Sequence, residues 1–221
     1  MCFSATASFS AAAVIGGVGV ATLRQATPKH DPRLIPLAAF PLLFSLQQIA
    51  EGFLWLDLAE PEPGALRGLL VHAFQGYAEV FWPAFAPFAT WLIEPDRLRR
   101  SLIAFCLAIG VALSIYLLAM MIAHPYEAFA AGGHIVYRND HRYPAGIEVP
   151  YVVATTISLL LSSHQDVRLL AFVILIGFGV AYLSFHQAYI SVWCFFAALA
   201  SVLVYLHMRA TPARGALGGT R

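Results

Sequence analysis

LIAFCLAIGVALSIYLLAMMI, residues 102–122, runs for 21 positions without a charged side chain. About 20 apolar residues are what a helix needs to cross the hydrocarbon core of a bilayer. The rest of the chain has the same character. Of 221 residues, 60% are hydrophobic and only 11% are charged, with a mean hydropathy of +0.73. A soluble domain carries about 25% charged residues, because its surface must be solvated however large its core. The solvent implied here is lipid, and the length accommodates six to eight spans.

Working outward from residues 102–122, similar runs recur on both sides. Residues 4–23 form a first span rich in Ala, Gly and Ser. Ala12 and Gly16, and then Ala13 and Gly17, stand at the small-xxx-small spacing that lets a neighbouring helix approach closely. Residues 34–56 form a second span and residues 66–91 a third, bent by Pro83 and Pro87. Beyond residue 122 comes a polar loop, residues 123–149, holding His124, His134 and His141. Residues 134–138, followed by Asn139 and Asp140, read as one arm of a small hairpin. A short fifth span covers residues 150–161. As one helix, residues 169–208 would extend roughly 60 Å at about 1.5 Å per residue, twice a bilayer. A turn is therefore expected at the most polar pair inside, His186-Gln187. The expected fold is an all-α polytopic membrane bundle of about seven helices, one domain over residues 1–208, with a disordered cytoplasmic tail at 209–221.

Basic residues set the expected orientation. Loops one-two, three-four and five-six plus the tail hold Arg24, Lys29, Arg33, Arg97, Arg99, Arg100, Arg168, Arg209, Arg214 and Arg221. The opposite side holds Arg67, Arg138 and Arg142. Such a bias places the richer side in the cytoplasm, with the N-terminus and the histidine-bearing loop outside and the C-terminus inside. No positive charge precedes the first apolar run and no A-x-A-like site follows it, so that run is expected to remain as a helix. A net charge of +1 in short clusters lacks the basic face that nucleic acid requires. Three cysteines do not make a disulfide framework.

Within the expected spans, setting cysteine and tyrosine aside, four side chains are ionisable: Glu51, His72, Glu79 and His186. Such groups cost at least a few kcal/mol in lipid and by default mark a functional site facing the bundle interior. The topology puts all four in or near the outer half. His72, Gln75 or Gly76, and Glu79 recur at helical spacing on one face of span three, as do Gln47 and Glu51 on span two. Cys2 precedes span one on the same side, and Cys194 lies about two turns into span seven. Imidazoles, carboxylates and thiols from five helices suit zinc, iron or copper better than magnesium or calcium. His72 and His186 could instead be the axial ligands of a haem. In this scheme His72, His186, Glu51, Cys2 and Cys194 are the metal ligands, and Glu79 is a catalytic proton acceptor or second-layer partner.

Each residue also has a plainer reading. His186 can meet the headgroup region, and Glu51 can be a protonated carboxyl that fastens two helices. Cys106 reads as a small core residue, and Cys2 with Cys194 as a disulfide in an oxidising compartment. The loop histidines are either solvated or part of a lid over the site. Trp55, Trp91, Tyr189 and Trp193 near span ends read as interface anchors. No Walker sequence, G-x-S-x-G elbow, H-E-x-x-H or C-x-x-C is present, so motifs identify no enzyme class. The sole lysine, Lys29, falls in a loop, unlike the retinal-binding lysine of a rhodopsin.

The opening Met-Cys-Phe-Ser-Ala, the segment from Pro41 through Gln47-Gln48 to Glu51-Gly52, and the motif SVWCFFAA at 191–198 resemble an uncharacterised bacterial family of small multi-span membrane proteins. The resemblance runs over nearly the whole chain and implies an inner-membrane protein; it implies no activity. Removal of Met1 would place an amine beside the Cys2 thiol, a pair able to chelate metal or act as a nucleophile. The leading expectation is a buried polar, metal- or haem-binding site open to the periplasm. The alternatives are a non-enzymatic sensor or accessory subunit with a membrane-protein partner or a homo-oligomeric state, and a transporter. A transporter would favour paired broken helices and an internal repeat.

Overall fold

The computed structural model describes residues 4–27, 31–184 and 189–210. Among the described residues the regular structure is helical apart from one hairpin. α1 (Ala5–Ala26) begins where the Ser4 hydroxyl accepts from the Ala7 amide at 3.2 Å. That contact satisfies one of the donors a helix start leaves open. α2 (Pro32–Leu58) opens as a tight turn after Asp31, whose carboxylate accepts from the Arg33 amide. α3 occupies residues 67–93 in three joined pieces, an α-helix (Arg67–Gln75), a π-helical segment (Gly76–Phe81) and a second α-helix (Trp82–Ile93). α4 (Arg97–Ala123) is the long apolar run. α5 (Glu148–Leu160) is shorter and contains a second π-helical segment, Val153–Ile157. α6 (Gln165–Ser184) is followed by α7, made of Tyr189–Ala200 and Val202–Ala210.

Among the described residues five helical stretches are long and apolar enough to cross a membrane: α1, α2, α4, α6 and the Val192–Ala210 part of α7. The two other expected spans differ for visible reasons. α3 is long enough, but Arg67, His72, Gln75 and Glu79 dilute its hydropathy. α5 is apolar but only 13 residues long (148 through 160). The helices on either side of the expected six-seven turn end at Ser184 and restart at Tyr189; His186 and Gln187 themselves lie outside the described residues. So do Cys2, Met1 and the tail from residue 211.

Close backbone contact organises the bundle. α1 packs along α2, and of the two expected small-residue faces it uses the one bearing Ala12 and Gly16, continued by Gly19. A Cβ on Gly19 would lie 2.6 Å from the Leu42 amide nitrogen, and Ser45 Oγ donates across to the Ala12 carbonyl at 2.8 Å. Ala13 faces outward, and Gly17 has open space beside it. A second close crossing involves α3, α4 and α5. Pro87 has no amide hydrogen, so the Pro83 carbonyl four residues earlier loses its helical donor. Gly110 on α4 abuts that carbonyl, where a Cβ would lie 1.9 Å from the oxygen. Large apolar side chains such as Val14, Phe105, Ile115, Ile122 and Leu183 point outward all around, as a lipid environment permits.

The residues between α4 and α5 fold back over the bundle. β1 (Glu127–Ala131) pairs antiparallel with β2 (His134–Arg138), with Ala131 opposite His134. Gly132 and Gly133 supply the two positive φ angles, 59° and 79°, that a two-residue hairpin turn of this twist requires. The expected arm at 134–138 is therefore the second strand of the pair. These two strands are the departure from an all-helical fold among the described residues.

Candidate functional site

The site grows from two helices. α2 carries Gln47, Gln48 and Glu51, each with no exposed surface, and α3 carries Gln75, also fully buried, and Glu79, 7% exposed. Trp82 Nε1 donates to Gln47 Oε1 at 3.1 Å, tying α3 to α2. Gln75 Nε2 donates to Glu79 Oε1 at 3.3 Å along α3. Cys194 on α7 is buried against the Gln47 amide and within electrostatic reach of Glu51 and Glu79. Three expected site residues, Glu51, Glu79 and Cys194, thus converge on one buried polar layer. His72 does not join them: it is half-exposed and its Nδ1 lies 2.7 Å from the carbonyl of Gly68 on its own helix. Among the described residues no three His, Cys, Asp or Glu side chains form a group that could hold a metal ion. Cys2 and His186, the remaining expected ligands, lie outside the described residues.

What lies over Glu79 is the loop between α4 and α5. The Tyr126 hydroxyl donates to its carboxylate, 2.9 Å from each oxygen. With that hydrogen committed, Tyr143 is the donor in the 2.8 Å contact between the two hydroxyls. Asn139 Nδ2 in turn donates to the Tyr143 oxygen at 3.1 Å. The three donors run in one direction, from the loop down to the carboxylate. Burial first, and the nearby Glu79 carboxylate second, push the Tyr126 phenol above its ordinary range. The same two causes raise Tyr143, so both stay protonated donors at physiological pH. Tyr137 on β2 stacks on Phe74 with ring centroids 4.8 Å apart, pinning the hairpin to α3.

Beside this chain lies a cavity of about 260 Å³. Tyr126, Tyr137, Tyr143, Tyr151, Phe178 and Trp193 give it an aromatic wall, and Glu79 stands in it with Glu148 and Arg138. The Arg138 guanidinium is parked over the Phe129 ring, 5.2 Å from its centroid. Tyr151 donates from its hydroxyl to the Ala78 carbonyl in the π-helical segment of α3. Such segments concentrate at functional sites because they break the regular i→i−4 ladder. Trp193, expected as an interface anchor, is instead buried, and its Nε1 donates to the Ile174 carbonyl at 3.1 Å. A smaller cavity of about 40 Å³ follows, lined in part by Cys194, Trp82 and Thr155; Tyr151 and Trp193 border both.

The loop histidines are ordered partners as well. His124 Nδ1 lies 2.7 Å from Asp140 Oδ1, and His141 Nε2 lies 3.2 Å from the Tyr116 hydroxyl. Burial holds His134 below the usual imidazole range. At the opposite end, just past α3, Glu94 accepts from the Ser163 amide at 2.7 Å, from the Ser163 hydroxyl and from the Asp96 amide at 3.1 Å. Burial pulls the Glu94 carboxyl up, but donation from Ser163, Asp96 and Ser162 outweighs it and leaves the group below the ordinary carboxylate range.

Tyr126, Tyr143, Tyr137 and Asn139 carried no motif, and their role depends on contacts such as the 47-residue separation between Glu79 and Tyr126. One signal was available: six of the cavity's aromatic residues fall at or after the polar loop, where tyrosine is common for no helical reason.

Five apolar helices of membrane-crossing length around a buried polar layer define a class, a helical bundle suited to a bilayer with a loop-covered cavity at one end. The chain belongs to DUF6629, a family of unknown function, whose model matches residues 1–217. No curated protein and no solved structure matches it.

Proposed function

We propose that this chain is a seven-span protein of the bacterial inner membrane that binds a small organic molecule in the cavity beneath its periplasmic loop. The excess of basic residues at the other end supports that orientation. The observation that carries the reading is the carboxylate of Glu79, held by Tyr126 beside a cavity of about 260 Å³. Ligand sites are concave, mostly apolar and furnished with a few placed polar groups, and this cavity has that make-up. Its size suits one small ligand. Tyr126, Tyr143 and Asn139 orient the anchor, and the hairpin, stacked on α3 through Tyr137, separates it from water. Metal or haem ligation by His72, His186, Glu51, Cys2 and Cys194 has no observation that favours it over an organic ligand. The arrangement serves a sensor or a transporter equally, and both begin with binding.

The test is calorimetric titration of the full chain in nanodiscs with three probes of one shape: phenethylamine, 2-phenylethanol and phenylacetate. Saturable binding of any of them, abolished when Leu117→Trp fills the cavity, supports the site. Binding of none, or binding that Leu117→Trp leaves intact, overturns it.

A further inference from the structure

We infer that the ligand of this cavity is an organic cation, an amine or quaternary ammonium with an apolar body, whose charge is met by Glu79 and whose body lies against the tyrosine wall. This rests on the ligand-binding reading above.

Three observations lead to it. The first is the direction of the hydrogen-bond chain. Asn139, Tyr143 and Tyr126 each donate towards Glu79, and Gln75 donates to it from the other side. Donors arranged in this sense complement an anion rather than a neutral acid. The second is the missing countercharge. Among the described residues Glu79 has no ion pair, and the one basic side chain on the cavity wall, Arg138, rests on Phe129 instead. A buried carboxylate without a cationic partner is costly, and bringing one in recovers that cost.

The third is the wall itself. Four tyrosines, Phe178 and Trp193 surround a small space, and ring faces attract a cation that comes within about 6 Å of a centroid. The second acidic residue, Glu148, adds to the negative character of the lining. An anionic ligand would meet two carboxylates and one guanidinium already resting on Phe129. A neutral one would leave the Glu79 charge unanswered.

The charge series named above separates this inference from the reading it depends on. Phenethylamine is expected to bind wild-type protein at least about tenfold more tightly than 2-phenylethanol, the advantage of one charge-assisted contact, with phenylacetate weakest. Glu79→Gln is expected to remove that advantage, bringing the affinities for phenethylamine and 2-phenylethanol to within about threefold of each other. If the alcohol or the acid binds as tightly as the amine, the cavity is a ligand site but the cation assignment is wrong. If no probe binds, the site reading fails and the assignment with it. The wild-type ranking needs no variant to fold, so a Glu79→Gln protein that cannot be purified leaves the outcome decided.

Discussion

Glu79 lies midway along α3 and Glu94 just past its end, and the protein treats them in opposite ways. Glu94 is closed off. Two backbone amides and a serine hydroxyl converge on it, and neither cavity reaches it. It clasps the end of α3 to the start of α6, where Arg99 and Arg168 also donate to the Ser162 carbonyl at 3.3 and 2.9 Å. Glu79 is held by side chains alone, Tyr126 and Gln75, beside open volume. Backbone donors fix a carboxylate as part of the architecture. Side-chain donors hold one in place while leaving a face available. Both side chains expose little surface, 2% and 7%, so exposure alone does not separate a clasp from a site; the kind of donor does.

Four measurements press on that contrast. Glu94→Ala removes the acceptor of three part-buried hydrogen bonds and is expected to cost about 2 kcal/mol of stability, read as the largest fall in thermal midpoint among single carboxylate variants. An equal fall for Glu79→Ala would erase the distinction. Glu79→Gln keeps an acceptor for Tyr126 and is expected to stay within about 1 kcal/mol of wild type, while losing the amine preference in the titrations described above.

The pH dependence of stability should divide in the same way. Glu94 lies below its ordinary value of 4.5 in the folded protein. Its contribution is therefore present above that value and is lost as pH falls below it. Tyr126 and Tyr143 lie above their ordinary value of 10, so their contribution is complete below that value and is lost as pH rises past it. Thermal midpoints across the full pH range are expected to fall at both extremes. Glu94→Gln should flatten the acid arm and Tyr126→Phe the alkaline one; exchange of these two effects would refute the assignment. The smallest effect is expected from Asn139→Ala, which removes the last donor of the chain and costs about 0.5–1 kcal/mol. Hydrogen exchange should find it loosening the hairpin with the clasp at Glu94 undisturbed.

Much of the architecture was legible in the sequence because lipid imposes a length and a composition on every span. Residues 102–122 needed nothing more, and the Ala12 and Gly16 face announced a close helix neighbour. The bending prolines were visible, but the close approach of Gly110 to the Pro83 carbonyl was not, since it depends on which helix crosses where. Glu51 and Glu79 were found by asking what is expensive in lipid, and Cys194 by its depth on its span; the three lie in one buried layer. The covering of the site was illegible for the opposite reason. Tyr126, Tyr143 and Asn139 sit in a polar loop where they cost nothing locally, and only the fold-back of the hairpin gives them a task. His72 misled because helical spacing counts residues as though the helix were regular. Its ring bonds Gly68 within the first turns, and the π-helical segment at 76–81 changes the phase of everything after it.

The polar layer shared by α2 and α3 also carries a consequence for biogenesis. Gln47, Gln48 and Glu51 cannot be left facing lipid, and neither can Gln75 and Glu79, since each such group is expensive there. Handed to the membrane one at a time, either helix would present its polar face to acyl chains. Delivered together, each shields the other. The short connection between them is already stapled, with Arg67 paired to Asp57 and the Gly64 amide donating to the same carboxylate at 2.9 Å. With α3 a span, as proposed above, these two segments are expected to leave the translocon as a hairpin, and the order of synthesis becomes part of how the site is made.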